Sequence, residues 1–410
     1  MSYPSNVGVH IPQPSGRPGD EPTFAHLSIP AAGTVARPAH DVSADTMRDY
    51  PYQLIRVLDE EGGAVGDWAP SLEASLLVRG LRAMMLTRIY DARMVRVQRQ
   101  GKTSFYMKST GEEAVAVAAA LALEREDMCF PTYRQQGLLI ARDWPLTDMM
   151  NQVYSNSADR LKGRQMPVFY SSRDAGFFSI SGNLGTQYSQ AVGWAMAAAS
   201  DNARPIAAAW IGEGATAEGD FHYALTFASV YQAPVILNIV NNQWAISSFS
   251  GIAGGERTTF AARGLGFGIP ALRVDGNDFL AVHAVTAWAA QRARAGLGPT
   301  VIELFTYRAE GHSTSDDPGK YRPAGESVAW PLGDPIERLK AHLIRIGHWS
   351  EQQHEELTQA LEEEVRVAGR LSESFGTLTE GKRLPASTIF DDVYKEMPPH
   401  LKAQRAQAGW

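Results

Sequence analysis

The segment from Trp210 to Ser247 constrains the fold most, because it reads as a strand, a glycine turn, a helix and a second strand. Ala207–Ile211 is a short apolar run that ends in Gly212-Glu213-Gly214, where glycine lets the backbone turn sharply and approach a ligand closely. Residues 218–231 have helical spacing, and residues 235–240 form a β-rich run. Strands joined by one crossover helix are parallel in one sheet, so the segment predicts an α/β fold.

Glu213 and Asn242 follow the two predicted strands directly, so both lie at the carboxyl edge of the sheet, where ligands bind in open α/β folds. A carboxylate, an amide oxygen and a nearby backbone carbonyl are hard oxygen ligands, which suit Mg²⁺ shared with the phosphates of a substrate or cofactor. An alternative stays open, because a strand-helix-strand unit with an acidic helix cap and a turn asparagine has the same pattern. Spacing alone does not decide between the two interpretations.

The composition excludes several classes of protein. The chain has 410 residues, 44% of them hydrophobic, and a net charge of −7, so it has no basic footprint for nucleic acid. Cys129 is the only cysteine, which excludes an intrachain disulfide and a cysteine-cluster metal site. No apolar run has the length to span a bilayer and the first residues lack a signal-peptide pattern, so we expect a cytoplasmic protein without a membrane partner.

Periodicity and turn residues divide the chain into three predicted regions. Residues 1–70 form a proline-rich arm and a small extended segment, residues 71–330 form the α/β domain, and residues 331–410 form C-terminal helices and an apolar subunit-docking tail. The sheet is expected to be mostly parallel, with helices on both faces. The predicted strands are 50–58, 128–130, 205–211, 235–240, 272–274 and 300–306; the predicted helices are 76–100, 111–123, 185–200, 218–231, 279–295, 335–346 and 350–375, with Ser71 and Ser350 as N-caps.

Two further strands end in side chains that can do chemistry. Tyr133 and Arg134 follow the strand 128–130, and an arginine there could hold a diphosphate oxygen pair. His312 follows the strand 300–306 in a Gly- and Ser-rich loop, which is well placed for catalysis. Both residues have plain alternatives, a surface arginine that starts the next helix and a hydrogen-bonded surface histidine.

Several stretches together carry a family resemblance. They are S-F-Y-M-K-S-T-G-E-E, P-T-Y-R, G-R-Q-M-P-V, I-S-G-N-L-G-T-Q, G-E-G-A-T-A-E-G-D with N-N-Q-W-A-I-S, and T-Y-R-A-E-G-H-S-T-S-D-D. From about residue 50 to 400 the chain resembles the α subunit of a thiamin diphosphate-dependent 2-oxoacid dehydrogenase, the E1 component. S-T-S-D-D with F-D-D-V-Y-K-E-M-P resembles the bacterial branched-chain type, whereas pyruvate relatives usually read S-M-S-D-P.

The resemblance implies a role for each matching residue. Mg²⁺ would bind the side chains of Glu213 and Asn242 and the carbonyl of Trp244. The cofactor would be held by the diphosphate contacts Tyr133, Arg134 and Arg308, by backbone groups of Gly182 and Leu184 at its aminopyrimidine, and by Gly212, Gly214 and His312. A K⁺ loop would comprise Ser181, Asn183, Thr186 and Gln187, and the substrate pocket Phe105, Tyr133, Met166 and Phe169. Relatives often have His at the position of Phe169, and some have Arg at that of Val240.

The implied reaction is the oxidative decarboxylation of a branched-chain 2-oxoacid such as 3-methyl-2-oxobutanoate, followed by acyl transfer to the lipoyl group of the E2 partner. His312 would be the catalytic residue. The chain has no length left for a pyrimidine-binding domain, so an E1 β subunit should complete the site in an α2β2 heterotetramer. The alternatives are a pyruvate or acetoin dehydrogenase α subunit, and a non-catalytic phosphate-binding scaffold subunit.

Overall fold

The computed structural model describes residues 8–201, 203–382 and 384–410. Its strands are β1 (Met128–Phe130), β2 (Ala207–Gly212), β3 (Val235–Asn241), β4 (Trp244–Ala245), β5 (Ser248–Phe249), β6 (Ala271–Asp275) and β7 (Thr300–Phe305). Its α-helices are α1 (Ala74–Arg99), α2 (Glu113–Ala122), α3 (Gln136–Ala141), α4 (Leu146–Tyr154), α5 (Thr186–Ser200), α6 (Gly219–Tyr231), α7 (Phe279–Arg294), α8 (Pro335–Arg345), α9 (Glu351–Ser374) and α10 (Pro399–Gln407).

A five-stranded parallel sheet of order β1-β2-β3-β7-β6 forms the centre of the fold, and β4 and β5 form a small antiparallel hairpin beside it. Strand β3 lies between β2 and β7, with Gly212 opposite Val240 and Asn241 opposite Phe305. The carboxyl ends of these three strands therefore meet at one edge. The predicted α/β fold with a mostly parallel sheet is confirmed.

Alternation along the strands separates two apolar layers. On β3, Ile236 and Val240 pack into the layer that contains α1, α2 and α7, whereas Val235, Leu237 and Ile239 pack into the layer that contains α5 and α6. Strands buried on both faces read as continuous apolar runs, as these do. Helices on both faces, as predicted, keep water from every strand face but leave the carboxyl edge open to loops.

The two predicted N-caps had different outcomes. Ser350 caps α9, because its Oγ accepts a hydrogen bond from Gln353 N at 3.2 Å. The cap at Ser71 is wrong, because α1 begins at Ala74 and its N-cap position is Glu73, which makes no side-chain cap bond. Glu73 has an extended backbone at φ −62° and ψ 138°, and Leu72 before it packs against the core.

The predicted strand 50–58 is also wrong. Tyr50–Tyr52 forms a 3-10 turn, and only Ile55 pairs with β6, through a bridge to Val274. The amides of Val57 and Leu58 donate instead to the Asp278 carboxylate at 2.8 and 2.6 Å. These donors are therefore unavailable for a strand ladder. Helices α3, α4 and α10 and the β4–β5 hairpin were not predicted.

The N-terminal arm lies on its own chain. Phe24, Leu27 and Ile29 pack against a third apolar cluster that includes Trp244 and Tyr307. Residues 1–7 of the predicted arm lie outside the described residues. The division into three regions and the docking role of the C-terminal tail stay predictions. No helix in the described part of the chain is long and apolar enough to cross a membrane.

Candidate active site

Three neighbouring strand ends bring the predicted polar residues together. Glu213 follows β2, and its amide donates to Val240 O on β3 at 3.1 Å. Asn242 follows β3, and its carbonyl accepts from Arg308 N, beyond β7, at 3.1 Å. The parallel register therefore places Glu213, Asn242 and Arg308 at one edge of the sheet, as the strand spacing predicted.

Glu213 is a buried carboxylate that lacks a complete set of partners. Its side chain is only 1% exposed, and Oε1 has no hydrogen-bond partner among the described residues. Burial raises its pKa to about 7, and the charge of Glu112 adds to the rise while Arg308 opposes it. A buried polar oxygen without a partner is costly, so it marks a position that a bound cation would complete.

Two of the predicted metal ligands, Asn242 and the carbonyl of Trp244, already have hydrogen-bond partners within the chain. Asn242 Nδ2 donates to Glu112 Oε1 at 2.8 Å, and Asn242 Oδ1 accepts from Trp244 N at 3.2 Å. The Trp244 carbonyl accepts from Arg308 Nη1 at 3.0 Å. In the described residues no group of three or more His, Cys, Asp or Glu could hold a metal. The donor set here is a single carboxylate with an amide and a carbonyl, which fits Mg²⁺ shared with phosphate.

Arg308 is held by acceptors of its own chain. Its Nη2 donates to Ile246 O at 2.9 Å and to the Tyr321 hydroxyl at 2.6 Å, in addition to the bond to Trp244. The side chain is 1% exposed and is not part of the cavity wall. Its predicted contact with a diphosphate stays a prediction, since in this arrangement the guanidinium ties the β4–β5 hairpin to the strand end.

Arg134 and His312 form a pair in the wall of the cavity. Arg134 Nη2 lies 3.0 Å from His312 Nδ1 and 2.6 Å from His312 O, and Arg134 Nη1 donates to Lys108 O at 2.6 Å. Arginine has no acceptor atom, so Nδ1 must accept and the proton of the neutral ring lies on Nε2. Asp316 fixes the loop by accepting from His312 N at 2.6 Å.

The surroundings of His312 keep its ring neutral. Burial, followed by the charges of Arg134 and Arg308, lowers its pKa to about 3, while Asp316 opposes the shift. The ring lies edge-on to Tyr133, with 5.8 Å between ring centroids. A neutral imidazole with its proton on Nε2 can donate a hydrogen bond there at any physiological pH.

One cavity of about 580 Å³ joins these residues. At one end it is lined by Gly212, Glu213, Gly214, Asn242 and Trp244, and elsewhere by Arg134, Gly182, Gln187, His312 and the predicted pocket residues Phe105, Tyr133, Met166 and Phe169, with Leu184. The rings of Tyr133 and Phe169 are nearly parallel, at 10° and 6.3 Å. The volume is typical of a small-molecule or cofactor site, and stacked aromatic rings suit an aliphatic group.

The predicted K⁺ loop has one exposed residue, Asn183, and two half-buried ones, Ser181 and Thr186, and it is bonded to itself. Ser181 Oγ accepts from Asn183 N at 3.1 Å, and Thr186 Oγ1 donates to Asn183 O at 2.8 Å. Gln187 is buried and donates to Trp210 O on β2 at 2.8 Å. Gln187 is the one member of this set that lines the cavity in the described residues. Potassium binding there stays a prediction.

Sequence reasoning missed Glu112 as a site residue and treated it as part of a helix start. The structure buries it to 1% exposure in the cavity wall, bonded to Asn242. The one signal in the sequence was the glycine directly before it. Gly111 has φ +94°, and a Cβ there would lie 2.4 Å from Tyr307 O. A glycine of this kind marks a close approach of two backbones, but sequence does not show which backbone it approaches.

Comparisons with known proteins agree with this geometry. Residues 81–379 match the family described as dehydrogenase E1 component, and residues 7–45 match that described as 2-oxoisovalerate dehydrogenase E1 alpha subunit N terminal. A 2-oxoisovalerate dehydrogenase subunit alpha from Pseudomonas aeruginosa is 60% identical over 409 residues, covering 100% of both chains. The mitochondrial subunit alpha of Mus musculus is 41% identical, over 86% of this chain and 78% of its own.

The chain therefore belongs to the family of dehydrogenase E1 components, which are thiamin diphosphate enzymes. Within the family it is an α subunit of the branched-chain type, the 2-oxoisovalerate dehydrogenase that acts with an E1 β subunit and an E2 partner. The prediction of a branched-chain 2-oxoacid dehydrogenase is confirmed over a pyruvate or acetoin enzyme and over a scaffold subunit.

Proposed function

We propose that this α subunit binds Mg²⁺ through Glu213, Asn242 and the carbonyl of Trp244, and thereby holds the diphosphate end of thiamin diphosphate. The observation that carries the proposal is the buried Glu213 Oε1, which has no hydrogen-bond partner in the described residues and lies beside Asn242 at adjoining strand ends. Mg²⁺ neutralises phosphate charge and would supply the missing partner of that oxygen.

The cofactor, once bound, supplies the carbon nucleophile and the electron sink for decarboxylation. His312 holds a proton at Nε2 because Arg134 occupies Nδ1, so it can donate a hydrogen bond that stabilises the reacting oxygen and assists acyl transfer. The rings of Phe105, Tyr133 and Phe169 exclude water and receive the branched side chain of the substrate, with Met166 at the edge.

Arg134 and Tyr133 would contact the diphosphate from the cavity wall, and Gly182, Leu184, Gly212 and Gly214 would contact the cofactor through the backbone. Arg308 would first have to release carbonyls that it now binds. The loop of Ser181, Asn183 and Thr186, with Gln187, would bind K⁺ only after its internal hydrogen bonds rearrange.

The assembly that we propose is a cytoplasmic α2β2 heterotetramer that passes its acyl group to the lipoyl group of E2. The support is that Leu184 and Met166 at the cavity are 42% and 53% exposed in the single chain. Exposed apolar side chains beside a cavity mark a surface that a partner covers.

Isothermal titration of thiamin diphosphate into metal-free protein, with and without Mg²⁺ and with and without the co-purified β subunit, tests the proposal. We expect binding that requires Mg²⁺ and strengthens with the β subunit. Equal cofactor affinity in excess chelator and in millimolar Mg²⁺ would contradict the metal site. Full decarboxylation by the α chain alone would contradict the two-chain site.

A further inference from the structure

Glu112 connects the two functional parts of the cavity. Its Oε1 accepts from Asn242 Nδ2 at 2.8 Å and lies 3.8 Å from Arg134 Nε, whose guanidinium contacts His312. The carboxylate is buried and lines the cavity wall. None of the roles argued above uses this group, although burying a carboxylate is costly unless it has charged or hydrogen-bonded partners.

The adjacent acid shows what a purely structural carboxylate looks like in the same turn. Glu113 accepts from Arg88 Nε at 2.7 Å and from Gly111 N at 2.9 Å, and it does not line the cavity. Its bonds fasten the start of α2 to α1. Glu112 instead accepts a hydrogen bond from Asn242, a predicted metal ligand, and lies beside Arg134, which contacts His312.

The backbone explains why Glu112 reaches the strand ends. Gly111 has φ +94°, and its Cα is so close to the chain beyond β7 that a Cβ would lie 2.4 Å from Tyr307 O. Ala309 N donates to Thr110 O at 3.1 Å and fixes the same approach. The residue after Gly111 is therefore placed against Asn242 by the main chain rather than by a flexible side chain.

An amide side chain can bind a cation only through its oxygen. Asn242 has an oxygen on one side of its amide and an NH₂ group on the other, and the two orientations are nearly equal in shape. A carboxylate accepts hydrogen bonds and cannot donate them, so Glu112 requires the NH₂ group to face it. The amide oxygen is then on the opposite side, away from Glu112. Groups that orient metal ligands in this way affect metal affinity strongly.

We propose that Glu112 is a positioning residue that fixes the amide of Asn242 so that its Oδ1 is presented to Mg²⁺. The inference rests on the proposed metal site and adds a residue to it. The same carboxylate lies 3.8 Å from Arg134 Nε, so it also fixes the position of Asn242 relative to Arg134 and His312. Glu112 acts here at the diphosphate end of the cavity.

The first test compares Glu112→Gln with Glu113→Gln in the complex with the β subunit. Mg²⁺ is titrated into metal-free protein that holds saturating thiamin diphosphate, at pH 8. A glutamine can offer either its oxygen or its NH₂ group, so it no longer selects the amide orientation. We expect Glu112→Gln to weaken the apparent Mg²⁺ affinity by about 10- to 100-fold. Glu113→Gln should lower the melting temperature and leave that affinity within about twofold of the parent.

The second test reverses the hydrogen bond. In Asn242→Asp with Glu112→Gln, the glutamine NH₂ group donates to a carboxylate whose other oxygen can bind the cation. A carboxylate at position 242 is an additional charged ligand, so the double variant is read against Asn242→Asp alone. We expect Asn242→Asp to improve Mg²⁺ affinity much more when Glu112→Gln is also present, because alone it sets two carboxylates against each other.

The outcomes separate this inference from the proposed function. A parent complex that binds thiamin diphosphate without any need for Mg²⁺ overturns both. A parent with Mg²⁺-dependent binding, together with an unchanged affinity in Glu112→Gln, overturns only the role of Glu112. Effects of the two substitutions that simply add, within about twofold, also overturn it, because independent sites are additive.

Discussion

The two ends of the cavity are held in different ways. At the sheet edge, Glu213, Asn242 and His312 are fixed by hydrogen bonds within the chain, and Glu213 and Asn242 are buried. At the other end, Leu184 and Met166 are largely exposed. The chain thus fixes the polar wall of the cavity by itself, whereas the exposed Leu184 and Met166 mark the place where a partner would cover it. The difference predicts that substitutions at the two ends fail in different ways.

The largest effect is expected for His312→Ala. Because Arg134 holds Nδ1, the Nε2–H group is the hydrogen-bond donor that the ring offers to the reacting oxygen, and removing it should lower kcat by about 10²- to 10³-fold. Mg²⁺-dependent cofactor affinity should stay close to that of the parent, because Arg134 also bonds the backbone oxygen of residue 312 at 2.6 Å. Steady-state kinetics and calorimetry of the reconstituted complex measure both quantities.

The surface variant His400→Ala on α10 serves as the control for His312→Ala, since it removes an exposed imidazole. If His312→Ala lost cofactor binding in parallel with kcat, the histidine would be a structural group of the loop. The sheet-edge end of the cavity would then contain no catalytic side chain among the predicted residues.

Glu213→Ala comes next, with an expected loss of at least about 100-fold in apparent Mg²⁺ affinity. It removes a charged metal ligand, and the loss of a group that only orients such a ligand already lowers metal affinity by about 10- to 100-fold. The chain should keep its melting temperature or gain slightly, because a buried carboxylate oxygen without a partner disappears. Glu362→Ala on α9, an exposed acid, is the control. Unchanged Mg²⁺ affinity in Glu213→Ala would mean that the metal does not bind at this sheet edge.

These residues show what the sequence can predict about the site. Glu213, Asn242 and His312 each follow a strand whose apolar run and turn residues are visible in sequence, so parallel strand order alone brings them to one edge. Glu112 could not be predicted, because its position depends on the contact of Gly111 with Tyr307, far along the chain. Local patterns predict where strands end, but they do not predict which distant backbone fills the space beside them.

The secondary structure likewise divides into elements that local sequence predicts and elements that depend on distant contacts. The unit β2-α6-β3 was predictable from glycine, proline and apolar spacing, whereas the β4–β5 hairpin was not. The hairpin depends on Gln243 at φ +74° and Ile246 at φ +56°, where non-glycine residues are uncommon. Tertiary bonds hold this backbone, including Gln243 Nε2 to Thr306 O at 3.3 Å. Strained backbone of this kind recurs at functional sites, and no propensity predicts it.

The third prediction concerns pH. Burial raises the pKa of Glu213 to about 7, so protons compete with Mg²⁺ below that pH. The apparent Mg²⁺ affinity should be flat above about pH 7 and should fall about tenfold per pH unit below it. Without metal the sign for folding is opposite, because a raised carboxyl pKa stabilises the folded chain at low pH and loses that contribution as pH rises towards 7.

The pH profile has an internal control. The pKa of His312 is lowered to about 3, so its ring does not titrate between pH 5.5 and 8. His312→Ala should therefore show the same Mg²⁺ profile as the parent. An affinity that is constant from pH 5.5 to 8 would contradict a raised pKa at Glu213, and a profile that His312→Ala abolishes would assign the titration to the histidine.

The smallest effect belongs to the open end. Leu184→Ala should change the free energy of unfolding of the α chain by less than about 0.5 kcal/mol, because the side chain is 42% exposed. If the β subunit covers it, about half of a leucine is buried on assembly, and its loss should weaken α–β association by about tenfold. Phe169→Ala, at a residue 8% exposed, should instead lower the stability of the chain by about 3 to 5 kcal/mol. Thermal melting and dilution of the complex followed by mass photometry separate these effects. Equal losses of chain stability in both variants would show that the exposed and the buried side chains of the cavity wall are held alike.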